Sequence, residues 1–317
     1  MKKQKFILTI VLIAILIASV VSFAAAEAKL YIPVISKGFQ HQFWLAVKAG
    51  AEKAAVDYDV TITFEGPENE SMVDKQMDML QVAIDKDPAA ICFAAVDSKA
   101  AIPLLEQAKE KGIPVIGFDS GVDSDIPLST ASTDNIAAAA LAADKMAELI
   151  GGAGEVAVIA HDQTSRTGID RVKGFTDRVA EKYPNITIVS TQYGGGDHLK
   201  STDLAKAVIQ GNPELKGFFG ANEGSIIGVM NAVQEFGMKG ELVVIGYDSG
   251  QQQMEAIRSG LLAGVITQDP IGIGYKAVEA AVKAYKGETL PLFIDTGFHW
   301  YDSTNIDDPV IAALLYK

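Results

Sequence analysis

Cysteine is almost absent. Cys92 stands alone in 317 residues, which excludes an internal disulfide and any Cys-x-x-Cys metal or redox site. Positive charge is scarce as well: 27 Lys and Arg face 40 Asp and Glu, for a net charge of −13, with no basic cluster. Nucleic acid is a poor partner for such a chain, because that affinity comes largely from Lys and Arg on phosphates. Histidine occurs only at 41, 161, 198 and 299, never in an HxxxH or HExxH spacing. No GxGxxG follows a strand pattern, and neither GxxxxGK[ST] nor GxSxG appears. The chain therefore reads as neither an enzyme nor a holder of metal or cofactor. Cys92 lies within the apolar run 89–96 and reads as core. What is present is ordinary globular composition, 49% hydrophobic and 21% charged, long enough for one large or two medium domains.

Long apolar runs are missing too, save one. Residues 6–21 are apolar apart from Thr9 and Ser19; Lys2, Lys3 and Lys5 precede them, and small residues in A-x-A spacing follow at 24–28. This is the order of a secretory signal peptide, expected over 1–26 with cleavage after Ala26 or Ala28. An uncleaved anchor is the alternative, since such a run nearly spans a bilayer. No cysteine sits near the junction, so a lipoprotein is not expected. The mature protein is expected to be soluble in the periplasm, and near-absence of thiol suits an oxidising compartment.

From residue 29 onward short apolar runs alternate with amphipathic stretches. Strands are predicted at 30–36, 61–65, 89–94, 114–118, 155–160, 187–191, 217–220, 242–247 and 264–267, with helices between them. This is an α/β chain with parallel sheets and helices on both faces. The polar, extended stretch 127–134 interrupts the alternation, which then restarts, so two sheets are expected rather than one. In open parallel sheets ligands bind beyond the carboxyl ends of strands. The residues there are rich in hydrogen-bonding and aromatic types: 36–44, Asp119-Ser120, 161–166, Asn222-Glu223, Tyr247-Asp248 and Gln268.

At these residues the chain resembles the periplasmic sugar-binding proteins of ABC importers, the ribose-binding-protein type that shares its fold with the ligand cores of LacI-type repressors. The resemblance runs over residues 29–288. Its marks are Phe43-Trp44, the runs 114–119, 132–135 and 171–175, Asn222-Glu223, the run 244–248, and Gln268-Asp269-Pro270. It implies two doubly wound parallel-sheet lobes joined by three crossings, near 132–134, 268 and 293–296. Lobe one would comprise 29–132 plus 269–294, and lobe two 133–268 plus 295–317. No helix-turn-helix pattern precedes Lys29, so a repressor is not the expectation.

The resemblance also implies ligand contacts. Asp119 and Asp248, in mirror positions after strands, would take ring hydroxyls; helix capping is the alternative for each. Asn222 would bring an amide, or cap the following helix. Gln268 would couple ligand to hinge, or be a solvated linker. Arg166 opens a helix, where the dipole disfavours a cation, so an anionic or hydroxyl partner is expected for it. Arg171 would be a ligand group or part of a structural ion pair. Phe43 and Trp44 divide between sugar stacking and core, and His41 between hydroxyl contact and surface. Phe39, Tyr193, Glu65 and Glu223 are weaker candidates. Gly196 stands where ribose-type relatives put a ring, suggesting a roomier or differently shaped cleft. Fans of carboxylate, amide and guanidinium with aromatic walls suit a polyol. The expected function is a monomeric receptor that closes on a monosaccharide or similar polyol and delivers it to an ABC permease. Alternatives are a nucleoside or signal-furanone binder, a sensory module feeding a chemoreceptor or receptor kinase, and, distantly, a glycosidase using Asp119 and Asp248 as paired carboxylates.

Overall fold

The computed structural model describes residues 29–316. The leader read over 1–26 lies outside the described residues. The first half runs β1 (Tyr31–Ile35), α1 (Gln42–Asp57), β2 (Thr61–Glu65), α2 (Val73–Asp85), β3 (Ile91–Phe93), α3 (Ile102–Glu110), β4 (Val115–Phe118) and β5 (Ser129–Ser132). The second half runs α4 (Asn135–Ile150), β6 (Gly154–Ala160), α5 (Arg166–Lys182), β7 (Ile186–Tyr193), α6 (His198–Gly211), β8 (Leu215–Gly220), α7 (Glu223–Glu235), β9 (Val243–Tyr247), α8 (Gln251–Ser259) and β10 (Gly264–Gln268). It closes with α9 (Pro270–Tyr285), β11 (Phe293–Asp295), β12 (Phe298–Tyr301) and α10 (Pro309–Ala312).

These strands form two six-stranded sheets, ordered β11-β5-β4-β3-β1-β2 and β12-β10-β9-β8-β6-β7. The first is parallel throughout, and in the second only β12 runs antiparallel, against β10. The chain passes between sheets three times: after β5, after β10, and between β11 and β12. This is the two-lobed α/β architecture with three crossings. The wholly buried strands Ile91–Phe93 and Val115–Phe118 explain it locally, because a strand apolar on both sides needs helices on both faces. Helix α4 starts where Asp134 accepts the Ala137 N–H and stops at Gly151, whose φ of 77° is left-handed.

Strands β5, β11 and β12 were not in the predicted set. Ser129–Ser132 reads as polar connection, yet it pairs with β4 on one side and β11 on the other. Its serines are buried because neighbouring strands satisfy the backbone, which hydrophobic alternation does not report.

Helices α1 and α9 cover the first sheet and approach each other unusually closely. A Cβ on Gly50 would lie 1.9 Å from the Ile271 carbonyl oxygen, and one on Gly274 would lie 1.9 Å from that of Val47. Gly274→Ala must force these helices apart. We expect it to lower stability by about 1–3 kcal/mol, the usual cost of overpacking. Urea unfolding should show a lower midpoint at unchanged slope.

Candidate functional site

A cavity of about 260 Å³ lies between the two lobes. Its lining comes from residues that follow strands: Lys37, His41, Phe43 and Trp44 after β1, Glu70 after β2, and Asp119 after β4. From the other sheet come His161, Thr167 and Arg171 after β6, Asn222 after β8, Asp248 after β9, and Gln268 at the end of β10. Strand ends converge here because both sheets present their carboxyl edges to the cleft.

Asp119 and Asp248 occupy matching turns, with φ of 52° and 76°. Left-handed backbone at a residue other than glycine is strained, and it persists where surrounding structure holds it. Asp119 is buried, and its carboxylate accepts no hydrogen bond from the described residues. Burial pushes it up to about 6, against the pull of Lys37 and Arg171. Asp248 is better served: Oδ1 accepts from Gln268 Nε2 at 2.7 Å and Oδ2 from the Glu223 N–H at 2.9 Å. Gln268 keeps its own Oε1 buried and unpartnered among the described residues.

Asn222 is a helix cap that also faces the cavity. Its Oδ1 caps α7 by accepting the Ser225 N–H at 2.9 Å, while the residue lines the cavity. Arg171 is held within its own lobe. Nε donates to Asn135 Oδ1 at 2.8 Å, Nη1 donates to the Ala221 carbonyl at 2.9 Å, and the guanidinium lies 3.8 Å from the Tyr247 ring centre. Phe43 and Trp44 are both buried and both line the cavity. His41 lines it too. Burial lowers its pKa, so the imidazole is neutral, and Nδ1 has no partner among the described residues.

Arg166 is not brought to the cavity. Its guanidinium pairs with Asp170 one turn along α5 and with Asp123 at 3.3 Å. The carboxylates of the protein itself offset the unfavourable cation at a helix N-terminus. Phe39 is 37% exposed and packs edge-on against Phe64. Neither Tyr193 nor Glu65 lines the cavity. The space beside Gly196 does not widen the cleft, because a Cβ there would meet Gln40, His41 and Asn222 within 3.5 Å.

Sequence reading missed Lys37, Glu70, His161 and Thr167. Three of them sit in or beside the runs after strands that it singled out, so position alone could have raised them. Glu70 lies in a polar loop that looks solvated, yet it is only 6% exposed.

Contacts across the cleft include two exchanged helix caps. Helix α1 has no side-chain cap and no acid in its first turn. Glu223 of the facing lobe supplies both: Oε1 accepts the Gln42 N–H at 3.0 Å and Oε2 the Phe43 N–H at 3.2 Å. Helix α8 likewise lacks a side-chain cap, and Gln42 Oε1 accepts the Gln251 N–H at 2.8 Å. Burial and the nearby Asp248 push Glu223 up to about 8, while the two N–H groups pull the other way.

The Asp119 environment fixes the sign of one effect. A carboxyl raised from its unfolded value to about 6 costs stability once it ionises, so folding weakens as pH rises through about 4 to 6. Asp119→Asn should therefore stabilise the ligand-free protein at pH 7, by up to about 3 kcal/mol on the linkage scale. Urea unfolding should show this gain fading below pH 4.

The sequence of residues 32–289 matches the model of the periplasmic binding protein domain. The D-allose-binding periplasmic protein of Escherichia coli is 28% identical, over 91% of this chain and 94% of that protein. A carbohydrate transporter solute-binding protein from Agrobacterium radiobacter, solved with D-arabinose, is 32% identical with a TM-score of 0.88, covering 92% of this chain and all of that one. An ABC transporter solute-binding protein from Agrobacterium vitis, solved with D-fucose, is 34% identical with a TM-score of 0.88, covering 90% of this chain and all of that one. With two parallel-sheet lobes around a buried polar cavity and a family model spanning most of its length, the chain belongs to the periplasmic binding protein domain family.

Proposed function

We propose that this protein is an exported receptor that closes on one monosaccharide or similar polyol and hands it unchanged to an ABC permease. The observation that carries the reading is the cavity. It combines buried carboxylate, amide and guanidinium with two aromatic walls. Asp119 offers unpaired acceptor oxygens for two hydroxyls. Asn222 and Arg171 offer N–H donors, and Phe43 and Trp44 offer apolar faces for ring C–H groups. His41 and Gln268 complete the set. The D-allose, D-arabinose and D-fucose ligands of the relatives support a sugar in this role.

In this reading the lobes are 29–132 plus 269–294 and 133–268 plus 295–317, the leader at 1–26 directs export to the periplasm, and the receptor acts as a monomer. A ligand that touches both lobes only when they meet shifts the open–closed equilibrium by that difference in contacts. Turnover is not part of the reading, since the family is one of binding proteins.

Calorimetry with D-allose, D-ribose, D-arabinose, D-fucose and tagatose tests it. Saturable binding tighter than about 0.1 mM to at least one is expected. No heat with any pentose or hexose, or hydrolysis of a chromogenic glycoside, would overturn it. Asn222→Ser keeps the helix cap and removes the amide donor, so it should lose roughly ten- to a hundredfold in affinity at nearly unchanged stability.

Closure itself has a separate test. Glu223→Ala removes the cap that one lobe lends to α1, so small-angle scattering without sugar should show a larger radius of gyration, with affinity reduced about tenfold. A scattering curve identical to wild type would remove Glu223 from the closing mechanism.

A further inference from the structure

Glu70 sits at the back of one cavity wall with three partners. Its Oε1 accepts the Trp44 Nε1–H at 2.8 Å and lies 3.9 Å from His41 Nε2, and its Oε2 lies 3.6 Å from Lys37 Nζ. Lys37 in turn reaches over the cleft, donating to Thr167 Oγ1 at 3.1 Å and Ser165 Oγ at 3.4 Å. Those hydroxyls stand at the N-terminus of α5, the positive end of a helix, beside His161 and Arg171. An ammonium that is 2% exposed in such a place needs compensating charge. Gly38, next to Lys37, leaves room for the arrangement: a Cβ there would sit 3.3 Å from Glu70 Cγ.

We propose that Glu70 is a positioning residue for sugar recognition: its carboxylate keeps the Lys37 ammonium charged and held across the cleft, and orients the Trp44 indole that walls the cavity. The proposal rests on the cavity being a polyol site. The groups facing Lys37 are Glu70 after β2, Asp119 after β4, Asp162 and His161 after β6, and Arg171 on α5. Burial works against the ammonium, and Glu70 is the largest of the carboxylate contributions that outweigh it. Glu70 is ionised throughout the physiological range: burial opposes its charge, but Lys37 above all holds its carboxyl down at about 2.

Glu70→Gln separates the two roles, because an amide oxygen can still accept from Trp44 while the charge is gone. Two measurements on the full chain test it. The first is affinity for whichever of D-allose, D-ribose, D-arabinose and D-fucose the wild type binds most tightly, measured from pH 6 to 10. Asp119 and Glu223 titrate in this range in both proteins, near 6 and 8, so the readout is the ratio of the two affinities: E70Q should be roughly ten- to a hundredfold weaker at pH 7 and carry an alkaline ionisation that wild type lacks. Adding E70Q to Lys37→Met should cost less than about threefold more, since partners acting as a unit are not additive. The second needs no sugar. In E70Q the folded Lys37 has a lowered pKa, so stability is lost as pH falls from about 10.5 toward that value. The urea-unfolding deficit of E70Q against wild type should therefore shrink between pH 7 and pH 10.

A deficit that does not change with pH, or an E70Q affinity equal to wild type, overturns the proposal. So does an equal loss from E70Q with or without Lys37. Should E70Q not fold, Glu70→Asp retains the charge and must keep the alkaline profile of wild type. Absence of binding by wild type to every sugar would sink the polyol reading, while the unfolding series would still decide the Glu70–Lys37 linkage.

Discussion

Charge taken out of water must find opposite charge or hydrogen bonds, and around this cavity Lys37, Glu70, Asp119, Arg171 and Asp248 are hidden together. Each lobe solves only part of that problem. Arg171 is anchored by Asn135, Ala221 and Tyr247 on its own side, and Asp248 by Gln268 and the start of α7. Lys37 is shared: its ion-pair partner Glu70 lies on one lobe and its hydrogen-bond acceptors on the other. Asp119 is left with neighbouring charge but no donor among the described residues, which makes it costly with the cleft shut and well suited to a ligand's hydroxyls. A binding site carries such imbalance because the ligand completes it.

The same logic governs how the lobes meet. The N–H groups at the start of a helix require acceptors, and α1 and α8 have none in their own sequence. The facing lobe supplies them, through Glu223 to α1 and through Gln42 to α8. Closure thus satisfies backbone groups that separation would return to water, and water serves them nearly as well. The result is a contact that orients the lobes without committing them, so that a modest contribution from a ligand can decide the balance.

Helix α1 ties these features together. Its outer length packs against α9 through Gly50 and Gly274, so its axis is set by the first sheet and its cover. Its first turn carries Phe43 and Trp44 into the cavity and takes the cap from Glu223. A displacement of this helix would disturb aromatic walls and interlobe contact at once.

Much of this was legible in the residues. The βα alternation, its restart after residue 134 and the rule that ligands gather beyond strand ends picked out the loops, and the resemblance to sugar-binding proteins supplied the individual residues; eight of the nine so named line one cavity: His41, Phe43, Trp44, Asp119, Arg171, Asn222, Asp248 and Gln268. The alternation and the strand ends are properties of local sequence, since periodicity follows from which side chains must be buried. Arg166 went elsewhere because Asp123, forty-three positions away in the chain, comes within reach only after folding. Glu70 looked like surface for the same reason: nothing near it in sequence announces that Lys37 and Trp44 will enclose it. Strand β5 escaped notice because its partners, not its own apolarity, hide it. What the chain determined by itself was the layering of its elements and the ends at which chemistry collects. Which charges pair, and which is left for a ligand, was decided only when two sheets met, because electrostatic partnership depends on distance in space rather than on distance along the chain.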